Sequence, residues 1–435
     1  MTQELLHIDA QVRQASTSWA RFLELVRTDI ASAKRLDPFA ATRQVTGQSL
    51  LLELRAYKPT ATQEDLHKGL MRWVYALLQA RMSIPFVLEA RSLREALVSV
   101  PVFGESLSSR ALFRAALLEP VNRAAEYVKI LNDRAPELSS VEARAREVRF
   151  EVARLLGHTH PDEPLLREDE ATDFDKQFVR ETLDLAKDTV RSDQAVSPEA
   201  TYARRELATD AREGWPARLN DRWYDEVFSG LGGTIARLGL QTQSSRDVWG
   251  AASFGRALAR LGLAMRAHYL YLSKLPIAAR AHPENLEGQL LGCAFALLLA
   301  SPAFHARALG LGRVAARDQA RLCTRSLLLS LRRAHASVAT VRGDWSVDEA
   351  ANVTYCGADP SPLMRSLLVH QPKIASAPLG ISFSVLMVNR FDEDWFRNPR
   401  AHRFLIDRAG APAFATDRTS AMSAVECRQW FESRV

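Results

Sequence analysis

The chain is poor in everything that would mark it as secreted, disulfide-built or membrane-embedded. Its 435 residues include only 4 cysteines, Cys293, Cys323, Cys356 and Cys427. No two lie close enough for a CxxC pair or a zinc knuckle. A disulfide framework is excluded, and a reducing cytoplasm is the expected compartment. Glycine (20) and proline (19) are sparse, so the chain has few breakers. The longest apolar run, Leu290 to Ala300, is too short to cross a bilayer and suits a buried helix. The opening MTQELLHIDAQ carries acids and no apolar core, so no signal peptide is expected. Intact catalytic signatures are missing as well. There is no HExxH, no GxSxG elbow, no GxxxxGK[ST] loop, and no GxGxxG following a strand. No catalytic residue, metal ligand or cofactor site is therefore assigned.

What is present is helix-forming sequence. Apolar residues make up 47% and charged residues 25%, the ordinary balance of a globular protein. Ala, Leu, Arg and Glu dominate, and all are good helix formers. Leu5, Ile8, Val12, Trp19, Phe22, Leu23, Val26 and Ile30 recur every three or four residues, which predicts a first helix over 3–36. Further helices are expected over 44–57, 63–82 (ended by Ile84-Pro85), 87–99 and 107–133. A capping box at Ser139 and Glu142 starts another, which Gly157 ends. Residues 157–164 carry breakers and charge and form the expected linker. The chain then reads as an N-terminal helical bundle over 1–157 and a larger helical domain over 165–435. In the latter, helices fit 168–191, 198–210, 246–275, 284–300, 303–337, 361–370, 378–396, 399–409 and 418–433. Ile381 to Val388 could form a strand, but helical spacing continues into Phe391, so it is assigned to helix. The fold class is all-α.

One motif departs from plain core sequence. Ala252-Ser-Phe-Gly-Arg256-Ala-Leu258 resembles the HEFGHAL helix of zinc peptidases with its two histidines and glutamate replaced. Two His one turn apart plus a Glu hold zinc and activate water on such a helix. Here Ala252, Arg256 and Ser253 occupy those places. The resemblance is to the thimet-oligopeptidase-like, or oligoendopeptidase, family and would cover about residues 170–410. It implies a third ligand position at Glu284 or Glu287, and the segment Phe391 to Arg400 is similar to a tail segment of such peptidases. A degenerate member would have lost its zinc. Arg256 would then replace a metal-ligating histidine, supply the cation in the metal's stead and lie within ion-pair reach of Glu284 or Glu287, because a guanidinium fork matches a carboxylate.

Charge is distributed unevenly. Of 57 basic residues only 8 are Lys. Arg codons are GC-rich, so an arginine excess carries meaning only where it clusters. It clusters at Arg313, Arg317, Arg321 and Arg325, spaced by four, and Asp318 is the single acid from 303 to 342. A four-residue step advances 400° around a helix, so the four form a slowly turning stripe. Such a face suits an acidic protein or a phosphate backbone. No aromatics interleave with the arginines, which leaves base stacking unsupported. His158 and His160 sit in the linker and His268, His282 and His305 are isolated; all read as loop or satisfied core positions. The resulting expectation is a non-catalytic protein, in the manner of a pseudo-peptidase, that binds a protein or peptide partner. An active hydrolase with an unrecognised site and a basic adaptor for nucleic acid are the alternatives. No membrane association is expected.

Overall fold

The computed structural model describes residues 2–161, 174–190, 198–208, 211, 213–216, 221–231, 251–272, 276–281, 283, 286–341, 343–356, 361–369, 377–410 and 422–435. The fold is all-α, with one two-stranded antiparallel hairpin among the described residues. The chain divides into two compact units. The first comprises residues 1–170 together with 274–284 and 361–370; the second comprises 171–273, 285–360 and 371–435. Two later stretches thus belong to the first unit, an arrangement outside the contiguous 1–157 and 165–435 division read from the sequence.

In the first unit the long helices are α1 (Thr2–Thr28), α2 (Gln48–Ala56), α3 (Glu64–Glu95), α4 (Ser109–Leu118) and α5 (Val121–Leu155). The apolar spacing of α1 buries Leu5, Ile8, Val12, Phe22 and Val26. Three local expectations are corrected. Pro85 does not end a helix, because α3 continues through it to Glu95. Pro136 lies inside α5, so Ser139 and Glu142 fall mid-helix and cap nothing. A proline inside a helix costs ~3 kcal/mol or more, and burial of both helices against their neighbours offsets this. The helix expected over 87–99 gives way at Leu97. Leu97–Val100 pairs with Glu105–Ser108 in register Leu97↔Ser108, and the turn uses Gly104 at φ 64°. Gly157 ends α5 as expected, at φ 75°.

The re-entrant stretches are held by specific contacts. Asp9 on α1 accepts the Ile277 and Ala278 N–H groups at 3.0 and 2.8 Å, capping the short helix Ile277–Arg280. Its carboxyl is raised by burial against the lowering effect of these two bonds. Gly69 on α3 abuts the Ala278 carbonyl so closely that any Cβ would collide with it. Trp73 Nε1 donates to Ala281 O at 2.8 Å. Leu363 N, at the start of helix Pro362–Val369, donates to Asn132 Oδ1 at 2.9 Å.

The second unit contains α6 (Phe174–Glu181), α7 (Leu183–Val190), α8 (Pro198–Leu207), α9 (Ala251–Leu272), α10 (Leu286–Ala296), α11 (Arg313–Val341), α12 (Val347–Thr354), α13 (Ala377–Phe391), α14 (Pro399–Gly410) and α15 (Ala424–Glu432). Its core gathers Phe228, Phe254, Leu258, Phe295, Phe304 and Trp395. Ile381 to Val388 is helical, within α13. The apolar run 290–300 is buried apart from half-buried Ala296, and the chain bends by 82° after it. Among the described residues no single helix is long and apolar enough to cross a membrane.

Candidate functional site

Helices α9 and α10 pack antiparallel at backbone contact, through small residues. Gly262 lies against Gly292, Gly292 against Ala259, and Gly255 against Leu299. This register fixes the fate of the motif residues. Arg256 is exposed, level with Leu299, and its Nη2 donates to Ser253 Oγ at 3.2 Å. Glu287 sits twelve residues before Leu299, about 18 Å away along the helix axis at 1.5 Å per residue. The structure therefore does not bring Arg256 and Glu287 together. Phe254, Gly255 and Leu258 are buried packing residues, and Phe254 stacks on Trp215 with centroids 3.7 Å apart. Ala252 lies in the first turn of α9, and Glu284 falls outside the described residues. Trp395 and Phe396 of the 391–400 segment are core residues. Among the described residues no three His, Cys, Asp or Glu side chains converge as a metal site would require.

Of the histidines described in this unit, His268 makes a ring contact with Tyr269 at 5.0 Å, while His305 and His402 are hydrogen-bonded into the core. His305 is buried; its Nε2 donates to Leu299 O at 2.8 Å and its Nδ1 accepts from Gln319 Nε2 at 3.1 Å. The proton is placed on Nε2 because a carbonyl can only accept. His402 Nε2 likewise donates to Phe396 O at 2.6 Å. Burial lowers the pKa of both below the usual imidazole value. No sequence pattern pointed to the buried pair His335–Asp175, 2.6 Å apart, with His335 among the rings of Phe174 and Phe178.

Helix α11 carries the arginine stripe. Arg313, Arg317 and Arg321 are exposed, and Arg325 is half-buried, as a 40° drift per step turns it toward the neighbouring helices. Val314 lies within the same angular range and is 73% exposed, an apolar knob among guanidinium groups. None of the four arginines makes an ion pair or hydrogen bond with a described residue, and the first turn of α11 contains no acid. Further along, the same side of α11 is covered, and there Arg332 is fully buried. Arg332 Nη1 donates to Val179 O and to Thr182 Oγ1 (2.8 Å), and Nη2 donates to Val353 O at 2.9 Å. Val179 and Val353 lie in the last turns of α6 and α12, where carbonyls lack helical partners and the dipole favours cations. Arg333, one residue on, pairs with buried Glu206 of α8, and Tyr202 and Tyr355 stack edge to face beside it. Burial lowers the Arg332 pKa and raises that of the Tyr355 phenol.

Compared with known protein families, curated proteins and solved structures, the chain matches none.

Proposed function

We propose that this is a non-catalytic helical binding protein that docks an acidic protein segment on the exposed arginines of the α11 stripe. The observation that carries the reading is the group Arg313, Arg317 and Arg321 around the exposed Val314, three cations without a partner among the described residues. Arginines placed at the start of a helix oppose its dipole, so the arrangement works against α11 itself and suits an external anion. The buried continuation of α11 supplies a precedent within the chain, since Arg332 is satisfied there by the electronegative ends of two helices. A partner helix with carboxylates spaced by four would match the ~6 Å rise between successive arginines, with an apolar side chain against Val314. A phosphate backbone would use the charges but not the valine, and no aromatic side chains stand between the arginines to stack on bases.

The test is a titration of a labelled Glu-rich helical peptide containing one leucine, beside single-stranded and duplex RNA, over a salt series. The peptide should bind, and the double reversal Arg317→Glu/Arg321→Glu should weaken it by about tenfold or more. Tighter binding of RNA, with a steep salt slope, would instead favour the nucleic-acid adaptor. On the proposed reading residues 252–258 form a packing helix, and chelator-treated protein should bind the peptide as well as untreated protein.

A further inference from the structure

Beyond that surface, the first unit contains a second and different feature. A cavity of about 280 Å³ opens between α1, α3 and α5. Its floor is apolar, from Val26, Val87, Ala90, Val141 and Ala145. Four of these, Val26, Ala90, Val141 and Ala145, are under one-tenth exposed. Its lining includes four arginines, Arg27, Arg91, Arg94 and Arg149, against one acid, Glu142. The acids available to these arginines hold them unequally. Arg27 pairs with Glu24 at 2.5 Å and Arg91 with Glu95 at 2.7 Å, two acids that are not part of the lining. Arg94 reaches Glu142 only at 3.7 Å, beyond hydrogen-bond range. Arg149 makes no ion pair or hydrogen bond with a described residue. Arg91 Nε is buried without an acceptor, while its Nη2 donates to Arg27 O at 2.8 Å.

Two further observations bear on what the cavity would take. Burial lowers the Arg94 pKa, with Glu142 opposing the shift and the neighbouring Arg91 adding to it. The Arg94 side chain keeps 41% of its surface exposed, with the like charge of Arg91 near it, and an added anion would relieve that repulsion. Arg144, outside the lining, lies over the Phe86 ring at 5.7 Å and pairs with Glu89 at 2.6 Å, which fixes the Phe86 wall. The volume corresponds to roughly nine waters, small for a peptide with several side chains and suited to one compact molecule.

We infer that this cavity is a binding site for a small amphipathic carboxylate, its apolar body on the Val87–Ala90–Ala145 floor and its carboxylate between Arg94 and Arg149. Both parts are required. A hydrophilic anion would leave the floor wetted, and a neutral apolar molecule would leave the guanidinium donors unanswered. Guanidinium–carboxylate bonds are charge-assisted and bidentate where geometry allows, so the arginines set the head-group preference and the floor sets the tail.

The test is calorimetric titration of the full chain with octanoate, 1-octanol, octylammonium and acetate. Octanoate should saturate one site, and the other three should bind at least about tenfold more weakly, the range expected for losing a charged hydrogen bond or the buried tail. Arg149→Glu should weaken octanoate by a similar factor, while Arg35→Glu, on the exposed surface outside the lining, should leave it unchanged. Ala90→Phe, which fills the floor, should abolish binding, with circular dichroism confirming that both variants remain helical. The inference is overturned if octanoate does not saturate, or if octanol or acetate binds as well. It is equally overturned if Arg149→Glu and Arg35→Glu have the same effect. The comparison among the four probes uses unaltered protein and decides the matter even if a variant fails to fold. Failure here leaves the α11 peptide experiment untouched, because no residue is shared.

Discussion

Arg313 stands in the first turn of a 29-residue helix with no acid beside it, at the end where unpaired N–H groups repel a cation. Replacing it with Glu should stabilise the protein by about 0.3–1 kcal/mol in urea unfolding while weakening acidic-peptide binding. A loss on both counts would show that Arg313 serves the fold and would remove it from the docking face. His305 and His402 give the second prediction at this scale. Burial holds both neutral in the folded protein, with pKa values below that of an exposed imidazole. Their unfolded forms take up protons near pH 6.5, so the unfolded state binds more protons as acid is added. Their contribution to stability is therefore complete above about pH 6.5 and is lost as the pH falls, by up to ~1.4 kcal/mol per pH unit for each. Unfolding free energies between pH 7.5 and 5 should fall accordingly, and His305→Gln and His402→Gln should flatten the slope. An unchanged slope in both variants would assign the acid sensitivity elsewhere.

At the scale of elements, arginine recurs as the device that ends helices from outside. Arg91 donates to Arg27 O in the last turn of α1, Arg134 to Leu93 O near the end of α3, and Arg266 to Ala409 O near the end of α14. Arg332 serves two ends at once. Lysine, with a single ammonium, could not span two carbonyls in this way, which gives a physical use for part of the arginine excess. Arg332→Met should cost about 3 kcal/mol or more, because two buried carbonyls and the Thr182 hydroxyl lose their donor. Arg332→Lys should recover less than half of that loss in the same measurement, and full recovery would show that charge alone matters there. The prolines belong to this scale too. Pro85 and Pro136 read locally as stops, yet α3 and α5 run through them, since packing against several neighbours outweighs one lost rung. By contrast, Gly157 ended its helix where the sequence indicated, because a positive φ is a local steric preference that neighbours need not supply.

For the whole molecule, the organisation of the first unit is the least local property. Residues 277–281 are tied to Asp9, Gly69 and Trp73, partners about two hundred or more positions away. A fragment of residues 1–170 lacks this stretch and helix Pro362–Val369. It should melt at a lower temperature than the first unit does in the intact chain, and adding a peptide spanning 274–284 should recover part of the difference. A fragment as stable as the parent would show the re-entrant segments to be passengers. Gly69→Ala in the full chain makes the same point with one methyl group, which would meet the Ala278 carbonyl. The expected loss is about 1–3 kcal/mol, as for other overpacked sites.

The sequence by itself determined the helical class, the placement of most helices and the existence of the arginine stripe. Each follows from spacing of three to four residues, which is a property of neighbours in the chain. It also marked Gly157 as a helix end, at positive φ. Residues 97–108 carried a hairpin signal in their Val-Ser-Val alternation and Pro-Val-Phe-Gly turn that helical spacing upstream obscured. Tertiary structure alone decided the rest. It separated Arg256 from Glu287 through the register of a glycine-lined helix pair. It left Arg313, Arg317 and Arg321 exposed and buried Arg332, further along α11, against α6 and α12. It also gathered Arg94 and Arg149 from different helices around an apolar floor. The reason is common to all three: which side of a helix is buried depends on what packs against it, and those partners lie far away in sequence, where no short-range pattern can specify them.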